Sequence, residues 1–180
     1  GGLTAGRLVT MLRMLGRDAA VLNGGLAVWA ADGNPIAYGP ADVWEPDMFT
    51  AQPWPVDRLA TADEAAAHAA AGGAVIDARA HERFTGAQAM IDPRPGHIPG
   101  ARNAPWSAVL APDGRLQTAE ALRAHYAALG ADAGDTIAYC GSGVSACMNV
   151  LAMEHAGLTP PRLYVASWSG WSADADRPAE

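Results

Sequence analysis

Short, continuously apolar runs recur between residues 61 and 165, each separated from the next by a helix-like stretch. Ala74-Val75-Ile76-Asp77 and Thr136-Ile137-Ala138-Tyr139 are such runs, and a strand with that pattern is buried on both faces. Ala101 to Asn103 adds a further short strand, and Leu163-Tyr164-Val165 closes the series. Thr61-Ala62-Asp63-Glu64 fits a capping box, which predicts a helix running to about Ala71, where Gly72-Gly73 stops it. Thr118 caps a second helix through Leu129, with Leu122, Tyr126 and Leu129 on one face, and a third helix is expected from about Ser145 to Ala156. Strands that alternate with helices are built into a parallel sheet, because parallel neighbours need a crossover. The expected fold class is α/β, a central parallel sheet flanked by helices on both faces.

The chain has 180 residues, half of them hydrophobic, enough for one good core and a fragment of a second. Residues 1–37 read as that fragment. A helix over residues 3–16 carries Leu8, Met11, Leu12 and Leu15. Ala19 to Leu22 reads as a buried strand, Asn23-Gly24-Gly25 as a turn, and Leu26 to Ala31 as a short helix. Such a unit cannot close a core by itself. Residues 38–60 form a linker in which Pro40, Pro46, Pro53 and Pro55 prevent a helix. Trp44, Phe49 and Trp54 suggest that this linker lies on a protein surface. The principal domain is expected at 61–175, followed by a tail at 176–180. Val21-Leu22-Asn23-Gly24-Gly25 and Tyr164-Val165-Ala166-Ser167-Trp168 occupy equivalent places, which suggests an internal duplication.

Charge and composition narrow the chemistry. The net charge is −7, which argues against a nucleic-acid partner or an acidic membrane surface. No run approaches the ~20 apolar residues of a spanning helix. All twelve basic residues are Arg. A phosphate loop that needs its Lys and a Lys Schiff base are therefore both excluded. Cys140 and Cys147 are too few for a disulfide scaffold or a four-Cys zinc site, and a reducing, cytoplasmic setting is expected. No metal or cofactor is implied.

The most informative stretch is Cys140-Gly141-Ser142-Gly143-Val144-Ser145, between an expected strand and an expected helix. Ligands of open α/β sheets bind at the carboxyl ends of strands. Glycines there let successive backbone N–H groups converge on one point, and the helix start adds positive potential. Both effects favour a thiolate, the nucleophilic form of Cys140. A phosphatase loop would need an Arg six residues after its Cys, where Ala146 stands. A Cys-x-x-Cys redox pair is absent, and the Cys140–Cys147 spacing is not that of a usual zinc pair.

This loop resembles the active-site loop of rhodanese-type sulfurtransferases, in the form seen in 3-mercaptopyruvate sulfurtransferases. Val75-Ile76-Asp77-Ala78-Arg79, Arg83-Phe84-Thr85-Gly86, Gly96-His97-Ile98-Pro99-Gly100-Ala101-Arg102-Asn103 and Ser167-Trp168-Ser169-Gly170-Trp171 match in the same order. The resemblance implies a catalytic rhodanese-like domain at 61–175 and makes residues 1–37 similar to the end of a first such domain. It implies that Cys140 takes a sulfane sulfur from a small-molecule donor and passes it to a thiol or cyanide, with thioredoxin among the candidate thiols. Gly141, Gly143, Val144 and Ser145 would hold the persulfide and donor through the loop. Arg83 would bind the donor anion, and Ser142 would work in a Ser-His-Asp relay whose His and Asp come from a first domain. Those two residues are not among the 180. Uncharged Gly141 and Ser142 favour mercaptopyruvate over the dianion thiosulfate.

Arg94 and Trp168 are secondary candidates, as an anion ligand and a pocket wall. Asp77 and Arg79 read as a structural pair, His97 as a structural histidine, and Cys147 as core. His68, His125 and His155 are expected to be solvated. The alternative to a sulfurtransferase is a non-catalytic or weakly active rhodanese-like binding module.

Overall fold

A computed structural model of the chain describes residues 2–40, 42, 45, 48–88, 92 and 94–180. The expected strand and helix runs of the principal domain are present. Helix α1 (Leu3–Met14) and helix α2 (Gly25–Ala31) precede the proline-rich segment; then follow α3 (Ala62–Ala70), β1 (Ala74–Asp77), α4 (His81–Phe84) and β2 (Arg102–Asn103). The chain continues through α5 (Ala119–Ala128), β3 (Thr136–Tyr139), α6 (Ala146–His155), β4 (Arg162–Leu163) and α7 (Ser167–Ala173). Thr61 starts α3 with both bonds of the capping box, its Oγ1 accepting from Glu64 N–H and the Glu64 carboxylate accepting from Thr61 N–H. Thr118 caps α5 through Ala121 N–H.

The four strands form one parallel sheet in the order β2-β1-β3-β4. Both central strands are buried at every position, as uninterrupted apolar runs require. Ile76 and Ala138 face a core built with Leu122, Tyr126, Cys147 and Met153 from α5 and α6. Val75, Ile137 and Tyr139 face the opposite core, with Ala65 and Ala69 of α3 and Trp168 and Trp171 of α7. Helices therefore cover both faces. Connections leave β1 toward β2 and leave β3 toward β4, so the order reverses direction between β1 and β3. That crevice is where ligands of open α/β sheets bind.

Three expectations about the first forty residues and the strand ends change. Ala19 to Leu22 is not a strand; among the described residues it has no strand neighbour, and Leu22 is 47% exposed. An apolar run becomes a strand only where a second backbone completes its ladder. β4 is shorter than the apolar run Leu163-Tyr164-Val165, because the chain turns at Val165 into α7. Trp168, the candidate pocket wall, thus lies within a helix. Trp44 lies outside the described residues, whereas Phe49 and Trp54 are exposed, with Arg17 above the Phe49 ring.

Helix α1 does not stand apart from the principal domain. It packs along α6: Gly6 lets it approach Met148 and Leu151, and Leu3 and Met14 join the core beneath. The segments α1–α2 and α6–α7 have one hydrogen bond in common. Trp29 Nε1 donates to Pro35 carbonyl at 2.9 Å, and Trp171 Nε1 donates to Pro178 carbonyl at 2.8 Å. The helix starts set Gly25 opposite Ser167, one position from the pairing suggested by the apolar runs.

Asn149 ties the core together. Wholly buried in α6, it accepts from Tyr126 hydroxyl at 2.9 Å and donates to Ala104 carbonyl at 3.0 Å. Asn149→Ala strands the Ala104 carbonyl and leaves the buried Tyr126 hydroxyl only its 3.4 Å contact to the residue-149 carbonyl, each loss costing about 1–3 kcal/mol. Urea unfolding of this variant is expected to show a stability loss of about 2–4 kcal/mol, with an unchanged m-value.

Candidate active site

Cys140 follows β3 directly and stands at the crevice between β1 and β3. Its backbone is fastened on both sides. Cys140 N–H donates to Ser167 Oγ at 3.1 Å, and Trp168 N–H donates to Cys140 carbonyl at 2.9 Å. Ser169 N–H donates to Gly141 carbonyl, also at 2.9 Å. The loop is thus stitched to the start of α7. Ser167 itself is wholly buried at φ +53°, and its hydroxyl donates to Tyr164 carbonyl. A non-glycine residue in the left-handed region is held there only by surrounding contacts, and such residues cluster at functional sites. Sequence reasoning gave Ser167 no role. Its signal was available only through the repeat, where the structure sets Gly25 at φ +72° opposite it.

Beyond Cys140 the backbone donors stay open. Among the described residues, the N–H groups of Gly141, Ser142, Gly143, Val144 and Ser145 take no hydrogen-bond partner. Gly143 turns the chain at φ +74°, and a Cβ there would lie 2.5 Å from Val165 carbonyl oxygen. Only glycine fits that turn. Five free donors ahead of the ten-residue helix α6 make a cradle for an anion or a sulfur-centred negative charge. Cys140 is 1% exposed and Ser142 is exposed at the rim.

Arg83 reaches this loop from α4. A Cβ built on Gly141 would lie 2.9 Å from Arg83 Nη2, so the guanidinium abuts the loop and a side chain at 141 would displace it. Arg83 is also held by Asp92, with Nε and Nη2 donating to the carboxylate at 3.0 and 2.6 Å. Asp92 in turn accepts weakly from Arg79 Nη1 at 3.4 Å. Arg79 and Asp77, both buried, share a bidentate pair at 2.7–3.1 Å. Burial opposes the Arg79 charge, but the hydrogen bonds and field of Asp77 outweigh it and push its pKa up. This matches the structural role expected of that pair.

The secondary candidates sit elsewhere. Arg94 Nη2 donates to the carbonyls of Asp174 and Arg177, and its buried Nε has no partner among the described residues. Its guanidinium therefore clasps the C-terminal segment and lies outside the loop. Trp168 is wholly buried; its Nε1 donates to Arg94 carbonyl, and Arg79 lies 4.8 Å from its ring centroid. It braces the crevice from below and cannot wall an open pocket. His97 is structural, with Nδ1 at 3.0 Å from Phe84 carbonyl and its ring stacked on Phe84. His155 is exposed, as expected. His68 and His125 are partly buried where full solvation was expected: His68 Nε2 lies 2.9 Å from Asp135 carbonyl, and burial lowers the His125 pKa. Arg7, which sequence reasoning passed over, brings Nη1 of α1 to 3.4 Å from Ser142 carbonyl.

A family model for the rhodanese-like domain matches residues 61–174. The chain belongs to the rhodanese family. It is 41% identical, over 98% of its length, to a probable 3-mercaptopyruvate sulfurtransferase of Pseudomonas aeruginosa, of which it spans 63%. It is 39% identical to a putative thiosulfate sulfurtransferase of Mycobacterium tuberculosis, covering 89% of this chain and 57% of the relative. The solved 3-mercaptopyruvate sulfurtransferase from Leishmania major superposes with a TM-score of 0.74 at 35% identity, over 93% of this chain and 48% of that one. The chain therefore spans less than two thirds of the curated relatives it matches. Among its described residues no helix is long and apolar enough to cross a membrane, and no cluster of three or more metal-ligating side chains occurs.

The two cysteines of this rhodanese-family chain differ in surroundings. Burial in α6 pushes the Cys147 thiol up to about 11. Cys147 is thus protonated at neutral pH, and its thiolate fraction rises only as pH approaches that value. Iodoacetamide at pH 7.5 is expected to label Cys140 and leave Cys147 unmodified. Peptide mass spectrometry across pH 7 to 10 checks this, with Cys147 labelling growing toward the alkaline end.

Proposed function

We propose that this chain carries the sulfur-transferring half of a sulfurtransferase, moving a sulfane sulfur through a persulfide on Cys140. The observation that carries this reading is the run of five unpaired backbone N–H groups directly after a cysteine at the sheet's switch point. A persulfide keeps a negative outer sulfur, and such a cradle stabilises it without a metal or a Lys. The names of the relatives support the same class of reaction.

The Cys140 thiolate attacks the donor sulfur. With 3-mercaptopyruvate the C–S bond breaks and its electron pair leaves as the pyruvate enolate, which takes a proton to become pyruvate. With thiosulfate the S–S bond breaks and sulfite leaves. An acceptor thiolate or cyanide then attacks the outer sulfur, and Cys140 departs as thiolate. A dithiol protein of the thioredoxin type is a suitable thiol acceptor. In this reading Arg83 Nη1 anchors the donor carboxylate, and Ser142 at the rim stands within the same mouth to meet its carbonyl. Residues 61–175 form the catalytic domain. Residues 1–37 are the closing part of a preceding rhodanese-like domain, a reading supported by the shared Trp–Pro bonds of α2 and α7. Residues 38–60 link the two, and 176–180 are the tail.

The test is single-turnover loading with intact-mass detection. Either donor is expected to add one sulfur to the protein, at Cys140, and Cys140→Ser is expected to add none. Mercaptopyruvate is expected to load faster than thiosulfate, since no cation replaces Gly141 or Ser142. Arg83→Ala removes a charge-assisted contact worth about 1.5–3 kcal/mol, so half-saturation for the donor should rise at least tenfold. Absence of added sulfur from both donors would favour the non-catalytic binding module.

A further inference from the structure

The cation nearest the loop does not face it unopposed. Asp77, Arg79, Asp92 and Arg83 form a chain of alternating charges running from the end of β1 to Gly141, and its formal sum is zero. The Asp92 side chain is 2% exposed, whereas that of Arg83 is 25% exposed. Asp92 occupies Nε and one N–H of Nη2, which leaves Nη1 as the edge of Arg83 available to a donor. Two further guanidiniums keep their charge and are common to every variant compared: Arg94, bound to main-chain carbonyls, and Arg7, whose Nη1 lies 3.4 Å from Ser142 carbonyl at the rim.

We infer that Asp92 is the positioning and specificity residue of this site, fixing Arg83 against Gly141 and limiting its field so that singly charged donors are preferred. This deepens the sulfurtransferase reading and rests on it for the identity of the donors. The buried carboxylate cannot be screened by salt as a surface charge would be. Its repulsion acts on every donor charge, so a dianion meets it twice and a monocarboxylate once. Asp92 does not touch the donor; it acts through Arg83. Holding the Nε edge also fixes the direction of the guanidinium, which a free arginine on the short helix α4 would not keep. This contribution adds to that of uncharged Gly141 and Ser142, and it resides in a carboxylate outside the Cys140 loop.

The test uses the full chain with Asp92→Asn, which keeps shape and one acceptor but removes the charge. In single-turnover loading, the ratio of thiosulfate to mercaptopyruvate rates is expected to rise about tenfold, equivalent to about 1.4 kcal/mol. A second readout needs no sulfur transfer. The Cys140 thiolate displaces iodide from anionic iodoacetate or neutral iodoacetamide, and the ratio of those rates reports the field at the sulfur. Asp92→Asn should raise that ratio severalfold, and Asp92→Glu should restore it. Arg83→Gln leaves Asp92 with only its 3.4 Å contact to Arg79 and should lower it below wild type, which keeps the test available if Asp92→Asn does not fold. Equal slowing toward both donors, with an unchanged alkylation ratio in every variant, would reduce Asp92 to a structural brace and overturn the inference. Failure of the wild type to accept sulfur from either donor would instead overturn the sulfurtransferase reading, while the alkylation ratio still decides the role of Asp92.

Discussion

The buried pair between Asp77 and Arg79 is the interaction on which the crevice depends. Both side chains are excluded from solvent, at the end of the strand beside β3. Two buried charges are costly unless fully paired, and removing one partner of such a pair typically costs about 3–5 kcal/mol. The remaining donors of Arg79 are used as well: Nη2 donates to Gly96 carbonyl, its ring neighbour is Trp168, and Nη1 reaches Asp92. One guanidinium therefore joins β1, the glycine-rich loop after α4, and α7. These are the elements that surround Cys140.

The Cys140 loop is rigid on one side and open on the other for a single reason. The carbonyls of residues 140 and 141 face α7 and are taken by the N–H groups of Trp168 and Ser169. The next five N–H groups are thereby left without main-chain partners. The left-handed turn at Ser167 makes this possible, because it brings two consecutive N–H donors to two consecutive carbonyls. The left-handed turn at one buried serine thus holds the start of the loop at Cys140, 27 positions away in sequence.

The N-terminal helix supplies the other support. By packing along α6, α1 covers the core beneath Cys147 and sets Arg7 at the loop rim. Its sequence suggested only a fragment unable to close a core. The structure resolves that difficulty, since the fragment borrows the core of the principal domain. What it leaves uncovered is its other side, where Leu8, Leu22 and Leu26 are exposed. Helices α2 and α7 share the tryptophan that closes each onto a proline carbonyl.

Local patterns in the sequence determined the central strands, the capped helices and the position of Cys140. Each depends on residues within a few positions of one another: uninterrupted apolar runs at 74–77 and 136–139, Thr61 with Glu64, and glycines flanking Ser142. The α/β class follows from their alternation. Tertiary structure alone decided the rest. Whether Ala19 to Leu22 became a strand depended on a neighbouring backbone, which no local pattern reports. Arg83 is the principal anion candidate in the sequence and Arg94 a secondary one; the first abuts Gly141 and the second clasps the C-terminal carbonyls. His68 and His125 are partly buried, His68 against Asp135 of a distant segment. Asp92 and Ser167 gave no local signal, since their roles consist of contacts with Arg83 and Cys140 across the crevice. Periodicity and capping are short-range and can be read along the chain. The direction of a guanidinium, the partner of a carboxylate and the strain in a turn are fixed only when separate segments meet.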